Sequence, residues 1–465
     1  MMTLSLAVRN LLRNRRRSLA TLLAMAIGST SILLFGGYST NINYTMHTEY
    51  VQNGGHLQIQ HRDFYLYGSG NPTAYGITDY IKILAAIQND EVLRNMVLVA
   101  TPTLQFGGIA GNYAAGVSRT IIGNGFVAED INRMRRWNDF GLRTGSPVFA
   151  LEGAVADAAI VGTGVARVLQ LCDALKITRC AKPEKEQKSD GKAIPDDIAQ
   201  LSQQETPAAS GAAGASSRRI EVLASNARGT PNVASLQVIR AEEQGFKELD
   251  EVYVMMHLAQ AQKLIYGKSP TKVTSIMLQL RHSDQIPEAV ARLVPILAQF
   301  STSQPLAVLD FRTLNPFYVQ TIQMFNTIFG FIFALIGAIV LFTVSNTMNT
   351  AVVERTVEIG TLRAIGVRRA GIRRLFVTEG MLLGLCGAVL GVVLALVLSA
   401  IANQMGLTWS PPGTVEPLPL TLRVWGETGM ILSTTFGLIC ISILSAWWPA
   451  YRAARLDVVE ALRHV

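Results

Sequence analysis

Charge is scarce in this chain. Its 465 residues are 16% charged and 49% hydrophobic, whereas a soluble chain carries about a quarter charged residues. That deficit points to lipid-facing segments. The formal net charge is +8, but the arginines cluster beside apolar runs, which reads as solvated flanks and not as a nucleic-acid patch. Cysteine is scarce as well. Four cysteines are too few for a disulfide scaffold. Cys386 and Cys440 fall inside apolar runs and are expected to be inert packing residues. Cys172 and Cys180 are close in sequence; a disulfide in an oxidising compartment and two free thiols both stay open. Catalytic patterns are missing. No G-x-S-x-G occurs, and no G-x-x-x-x-G-K-[ST] occurs, so the chain holds no Walker-type ATP site. His56 and His61 lack a third ligand at metal spacing and are expected at a polar strand edge. No metal, cofactor or catalytic residue is expected on this chain. The glycines Gly107, Gly108, Gly123 and Gly125 read as turns.

Four long apolar runs are present. A membrane helix needs about 20 predominantly apolar residues, and residues 19–40, 321–346, 375–402 and 428–449 meet that need, with no acid or base in the middle of any of them. The first run follows Arg13–Arg17 but is longer than a signal-peptide core and lacks a cleavage site, so a retained helix is expected. Three basic sets flank the runs. They are Arg9, Arg13 and Arg15–Arg17; Arg355, Arg363, Arg368, Arg369, Arg373 and Arg374; and Arg452, Arg455 and Arg463. Four successive crossings put all three on one side, so both termini are expected to be cytoplasmic.

The expected layout follows. Residues 1–18 form an amphipathic cytoplasmic segment, 41–320 an extracytoplasmic domain, 347–374 a cytoplasmic segment, 403–427 a short outer loop, and 450–465 a cytoplasmic tail. The fold class is a polytopic α-helical membrane protein with a large mixed α/β domain between the first and second spans. In that domain, strands are expected near 57–60, 97–106, 117–122, 220–224, 235–239, 252–256 and 275–280. Helices are expected near 79–87, 164–171 and 286–297. Residues 181–217 are rich in Ala, Ser, Gly, Lys, Glu and Gln, cannot bury much apolar area, and read as a flexible insert. In the third span, Gly380, Gly384, Gly387 and Gly391 give small-xxx-small spacings. Packing within the chain and a dimer seam are both open readings.

The segment from Asn346 to Gly366 is the most informative. It predicts a short amphipathic helix with Ile359, Leu362 and Ile365 on one side, Arg355 paired to Glu358 three residues on, and a stop at Gly366. A second basic amphipathic stretch follows, with Ile372, Leu375 and Phe376 among Arg368, Arg369, Arg373 and Arg374. So dense an alternation of acids, bases and apolar residues suits a docking surface for a cytosolic partner.

The run E-R-T-V-E-I-G-T-L-R-A-I-G from Glu354 to Gly366 resembles the cytoplasmic signature of the MacB/FtsX/LolC–LolE family of ABC membrane subunits. The start A-V-R-N-L-L-R-N-R-R-R from Ala7, Glu379-Gly380, and the ending P-A-Y-R-A-A-R-L-D from Pro449 resemble it too, although Val458 stands where the family usually has Pro. Gly55-His56-Leu57-Gln58-Ile59 resembles the lipoprotein-releasing, LolE-like branch. The resemblance implies a dimer of permease chains, identical or related, bound to two copies of a cytosolic ATPase that holds ATP and Mg. Closure of the ATPases would move the extracytoplasmic domains in a bacterial inner membrane, a mode called mechanotransmission. Lipoprotein or lipid extraction is the leading implied role. A MacB-like efflux subunit with a periplasmic partner and an FtsX-like scaffold for a cell-wall enzyme are the alternatives. By the same resemblance, Glu354, Arg355, Glu358, Ile359, Gly360, Leu362, Arg363 and Gly366 would form the coupling surface. Arg452, Leu456 and Asp457 would dock the ATPase from the C-terminal side.

Overall fold

The computed structural model describes residues 2–13, 15–142, 147–177, 218–226, 229–245, 247–300, 304–409 and 418–456. The expected insert at 181–217, Cys180 and Asp457 lie outside them. The chain divides into a helical unit, Met1–Met46, Phe317–Trp409 and Leu418–Val465, and a domain built on His47–Pro316.

Along the chain, the principal helices are α1 (Met2–Arg13), α2 (Arg15–Gly54), α3 (Tyr80–Asn89), α4 (Leu258–Tyr266), α5 (Ile286–Ala298), α6 (Pro316–Glu354), α7 (Thr356–Ala364), α8 (Arg369–Gln404) and α9 (Thr428–Ala454). The strands are β1 (Leu57–His61), β2 (Val97–Asn112), β3 (Val117–Phe126), β4 (Ala158–Gly162), β5 (Arg219–Ser225), β6 (Pro231–Glu242), β7 (Tyr253–His257), β8 (Ser275–Leu280) and β9 (Leu306–Asp310).

Helices α2, α6, α8 and α9 are long and apolar enough to cross a membrane. They outrun the apolar stretches because no proline or glycine stops them at the edge of the hydrocarbon run. Helix α2 continues to Gly54, past the end expected at residue 40, and α8 begins at Arg369. In α8, a side chain on Gly380 would meet Ala446 Cβ at 2.5 Å, and one on Gly384 would meet Ser442 Cβ at 2.8 Å, both on α9. One on Gly387 would meet Met25 Cβ at 2.6 Å, and one on Gly391 would meet the Ala26 carbonyl at 2.8 Å, both on α2. The glycine stripe is therefore taken up by close packing inside one chain, the first of the two readings open for these four residues. Short polar links fill the same crossings: Ser442 Oγ donates to the Gly380 carbonyl at 2.6 Å, and Thr30 Oγ1 lies 2.8 Å from the Ala26 carbonyl of its own helix and 3.1 Å from that of Gly391, so its one proton serves one or the other. Cys386 and Cys440 are free thiols on outward-facing positions of the chain, not interior packing residues.

In the domain, β2 is the pivot. Its first half pairs with β8, and its second half pairs with β3 on one edge and β5 on the other. The pairings β2–β3–β7–β4–β6–β5–β2 close a six-stranded ring, and β8, β1 and β9 extend the sheet from the first half of β2. Closure removes exposed strand edges. Leu104, Phe106, Ile121, Val161, Val222, Leu236 and Val254 belong to its core. The glycines expected in turns lie inside strands instead: Gly107 and Gly108 in β2, Gly123 and Gly125 in β3. The Phe106 ring fills the space over Gly123, and Leu258 and Ala261 of α4 close on Gly125. A strand glycine commonly marks such a close approach. Helix α3, helix α5 and the strands anticipated from alternation all form. Strands β4 and β9 are additional, and β2 is longer than expected because both its halves find partners.

His56 also departs from expectation. It is fully buried, one residue ahead of β1, not on a strand edge. Its Nδ1 accepts from the Leu280 N–H at 3.0 Å, so Nε2 carries the proton, and Nε2 lies 3.0 Å from Ser283 Oγ. Burial, with the neighbouring His47 second, lowers its pKa from 6.5 to about 3. The unfolded chain therefore binds a proton below about pH 6.5 that the folded domain refuses until about pH 3. Stability contributed by the neutral ring is full above pH 6.5 and falls by at most about 1.4 kcal/mol per pH unit below it. His47, lowered by burial to about 4, adds a slope of the same sign, so melting curves between pH 7 and pH 4 are expected to show both, and His56→Gln is expected to reduce the slope by about half. An equal slope in the variant would place the acid sensitivity elsewhere. Cys172 is disulfide-bonded.

Candidate functional site

The site is the junction around α7. Helix α6 ends at Glu354, Arg355 breaks the helix with φ −107° and ψ 18°, and α7 follows at once. Gly366 stops α7 at φ +103°. The Gly366 N–H donates to the Arg363 carbonyl at 3.1 Å and the Val367 N–H to that of Leu362 at 3.0 Å. Those two bonds make a Schellman cap, which needs the left-handed conformation that glycine adopts without penalty.

The acids and bases expected to pair along α7 reach other elements instead. Arg355 is 5% exposed and turns inward. Its Nη1 lies 3.1 Å from Glu379 Oε1 on α8, and its Nη2 donates to the Asn10 carbonyl of α1 at 3.1 Å. Asn10 Nδ2 donates to the same Glu379 oxygen at 2.6 Å. Arg355 therefore joins three elements from within and is not part of an exposed coupling surface. The sequence placed Glu379 in the family resemblance but gave it no partner; a lone acid near a run of arginines was the available signal. Glu358 pairs with Arg13 of α1 at 2.8 Å, and Glu354 takes a two-pronged contact from Arg17 of α2 at 2.7 and 2.8 Å. The Glu358 bond raises the Arg13 pKa further. Arg363 Nη1 donates to the carbonyls of Ala454 at 3.0 Å and Leu456 at 3.3 Å, at the C-terminal end of α9 where a cation is favoured by the helix dipole.

Each helix of the unit is thus tied to the α7 junction. The apolar residues divide. Ile359 and Gly360 are buried, whereas Leu362 is 36% and Ile365 76% exposed. At about 100° per residue, Leu362 lies about 60° and Ile365 about 120° around the helix from Ile359, and exposure rises along that turn away from the buried Ile359. Val353, at 71%, and Val357, at 42%, are exposed as well. The outcome is an uncovered apolar surface on a helix whose polar groups are engaged within the chain. Arg452 is exposed, and Leu456 is half-buried against the helical core.

Residues 327–458, which contain this junction, match the FtsX-like permease C-terminal domain. Over 244 residues the chain is 25% identical to the lipoprotein-releasing system transmembrane protein LolC of Xylella fastidiosa (strain Temecula1), covering 50% of this chain and 56% of that one. Over 225 residues it is 28% identical to the macrolide export ATP-binding/permease protein MacB of Bordetella avium, covering 48% and 32%. Residues 327–458 thus carry an FtsX-like permease C-terminal domain, and the chain is similar to LolC and MacB. The chain spans about half the length, or less, of these curated relatives. The extracellular domain of the YknZ transporter from Gram-positive bacteria covers 55% of this chain and 99% of its own length, at 14% identity and a TM-score of 0.28. The chain has four helices long and apolar enough to cross a membrane, with a mixed α/β domain between the first two.

Proposed function

We propose that this permease is the membrane subunit of an ABC transporter, driven by a separate cytosolic ATPase. The observation that carries this reading is the α7 junction: an exposed apolar face whose polar residues tie it to α1, α2, α8 and α9. A partner that moves α7 moves all of them. In this reading α7 and both termini face the cytoplasm of a bacterial inner membrane, as the arginine bias favours. The α/β domain then acts outside. Two permease copies work with two ATPase copies, and ATP and Mg bind to the ATPase.

We infer lipoprotein or lipid release from the membrane as the task, on the likeness to LolC over half the chain. The MacB likeness covers a similar share and supports efflux through a periplasmic partner as the second reading.

Glu358→Lys tests the coupling role. Glu358 and Arg13 are each about half exposed, and an exposed pair is worth about 0–1 kcal/mol, so folding and insertion should be spared. ATP hydrolysis in the complex should continue while transport is lost. Normal transport by that variant in membranes would remove Glu358 from the coupling surface.

A further inference from the structure

We propose that the ends of α8 and α9 near the α7 junction form a binding site for the head group of an anionic phospholipid. Arg369 and Arg373 are four residues apart on α8 and share a face. Ile372 and Phe376 of the same turns are buried, which leaves the arginines to point outward. Arg373 stands over the Trp447 ring of α9, with its guanidinium carbon 5.2 Å from the ring centre. Trp447 is 49% and Trp448 65% exposed, and Leu444, one turn further into the apolar helix, is 65% exposed.

Among the described residues, the charge around this corner is uncompensated. Arg13, Arg17 and Arg355 each have a carboxylate partner, whereas among the described residues no ion pair involves Arg369 or Arg373. A guanidinium fork matches a phosphate bidentately, and tryptophan concentrates at head-group depth in membranes. The aromatic ring fixes one guanidinium, the second arginine sits one turn away, and Leu444 with Trp448 offers an apolar track for an acyl chain. A soluble anion would use the arginines and leave that track bare. A lipid uses both, which commits the site to a lipid head group with a net negative charge. The site stands on the two helices alone and does not depend on what the permease moves.

Native mass spectrometry of the purified full chain, delipidated and titrated with phosphatidylglycerol or phosphatidylcholine, is the test. The wild type should retain phosphatidylglycerol in preference. R369Q/R373Q should weaken that binding roughly tenfold or more. R369K/R373K, which keeps the charge, should lose less. R9Q/R16Q removes two other exposed arginines and should bind like the wild type. Inorganic phosphate should not compete at millimolar concentration. Equal retention of both lipids, equal loss in R9Q/R16Q, or displacement by inorganic phosphate would each overturn the site. Should R369Q/R373Q fail to fold, Trp447→Leu takes its place, with a severalfold loss expected and unchanged binding counting against the proposal.

Discussion

Glu379→Ala should destabilise the helical unit by about 3–5 kcal/mol, the range for breaking a buried ion pair by removing one partner. The side chains of Arg355 and Glu379 are 6% and 2% exposed. Without the carboxylate, the guanidinium is left buried with only the Asn10 carbonyl to answer it, and its Nε has no partner even in the wild type. Asn10 loses its acceptor at the same time, so α1 should loosen. Melting of the full chain in detergent should fall by on the order of 10 °C, and limited proteolysis should cut α1 first. The double variant Arg355→Met with Glu379→Leu should regain most of the loss, because two apolar side chains of similar volume cost no desolvation. A Glu379→Ala chain that melts like the wild type would show that the pair does not hold α1, α7 and α8 together.

The second large effect is expected at Gly391. Gly391→Val places a branched side chain against the Ala26 carbonyl and the Ser29 side chain on α2. Backbone cannot step aside as a flexible side chain does, so α2 and α8 must separate. Thr30 Oγ1 would also move away from the Gly391 carbonyl and keep only that of Ala26. The cost should reach or exceed the roughly 1–3 kcal/mol typical of overpacking. Gly330→Val is the matched control, since a side chain there meets nothing within 4 Å and carries only the propensity change. A dimer seam would give the opposite pattern: Gly391→Val would change the oligomeric state while the single chain melted normally. Equal melting of both variants would overturn the assignment of this stripe to packing within the chain.

Much of this architecture was legible because the bilayer imposes strong rules. Uncharged runs near 20 residues located α2, α6, α8 and α9, and alternation located most strands of the domain. What stayed hidden depends on partners distant in sequence. Arg355 and Glu358 have helical spacing, and only the fold offers them Glu379 and Arg13 instead. Ile359 and Ile365 are both apolar, yet one is buried and the other bare, because what covers α7 comes from α1, α8 and α9. Gly123 reads as a turn until Phe106 arrives across the ring. The glycines of α8 announced close packing without saying against what. His56 looked like a polar edge residue because its acceptor role toward the Leu280 N–H joins positions far apart in the chain.

The most direct test is purification of this chain from its native membrane in mild detergent, with cysteines placed at Leu362 and Ile365 for crosslinking, and identification of its companions by mass spectrometry. A stoichiometric cytosolic ATPase, crosslinked through those two positions, is the predicted result. Absence of any ATPase after crosslinking, with the chain intact and folded, would contradict the proposal that ATP-driven motion enters the helical unit at α7.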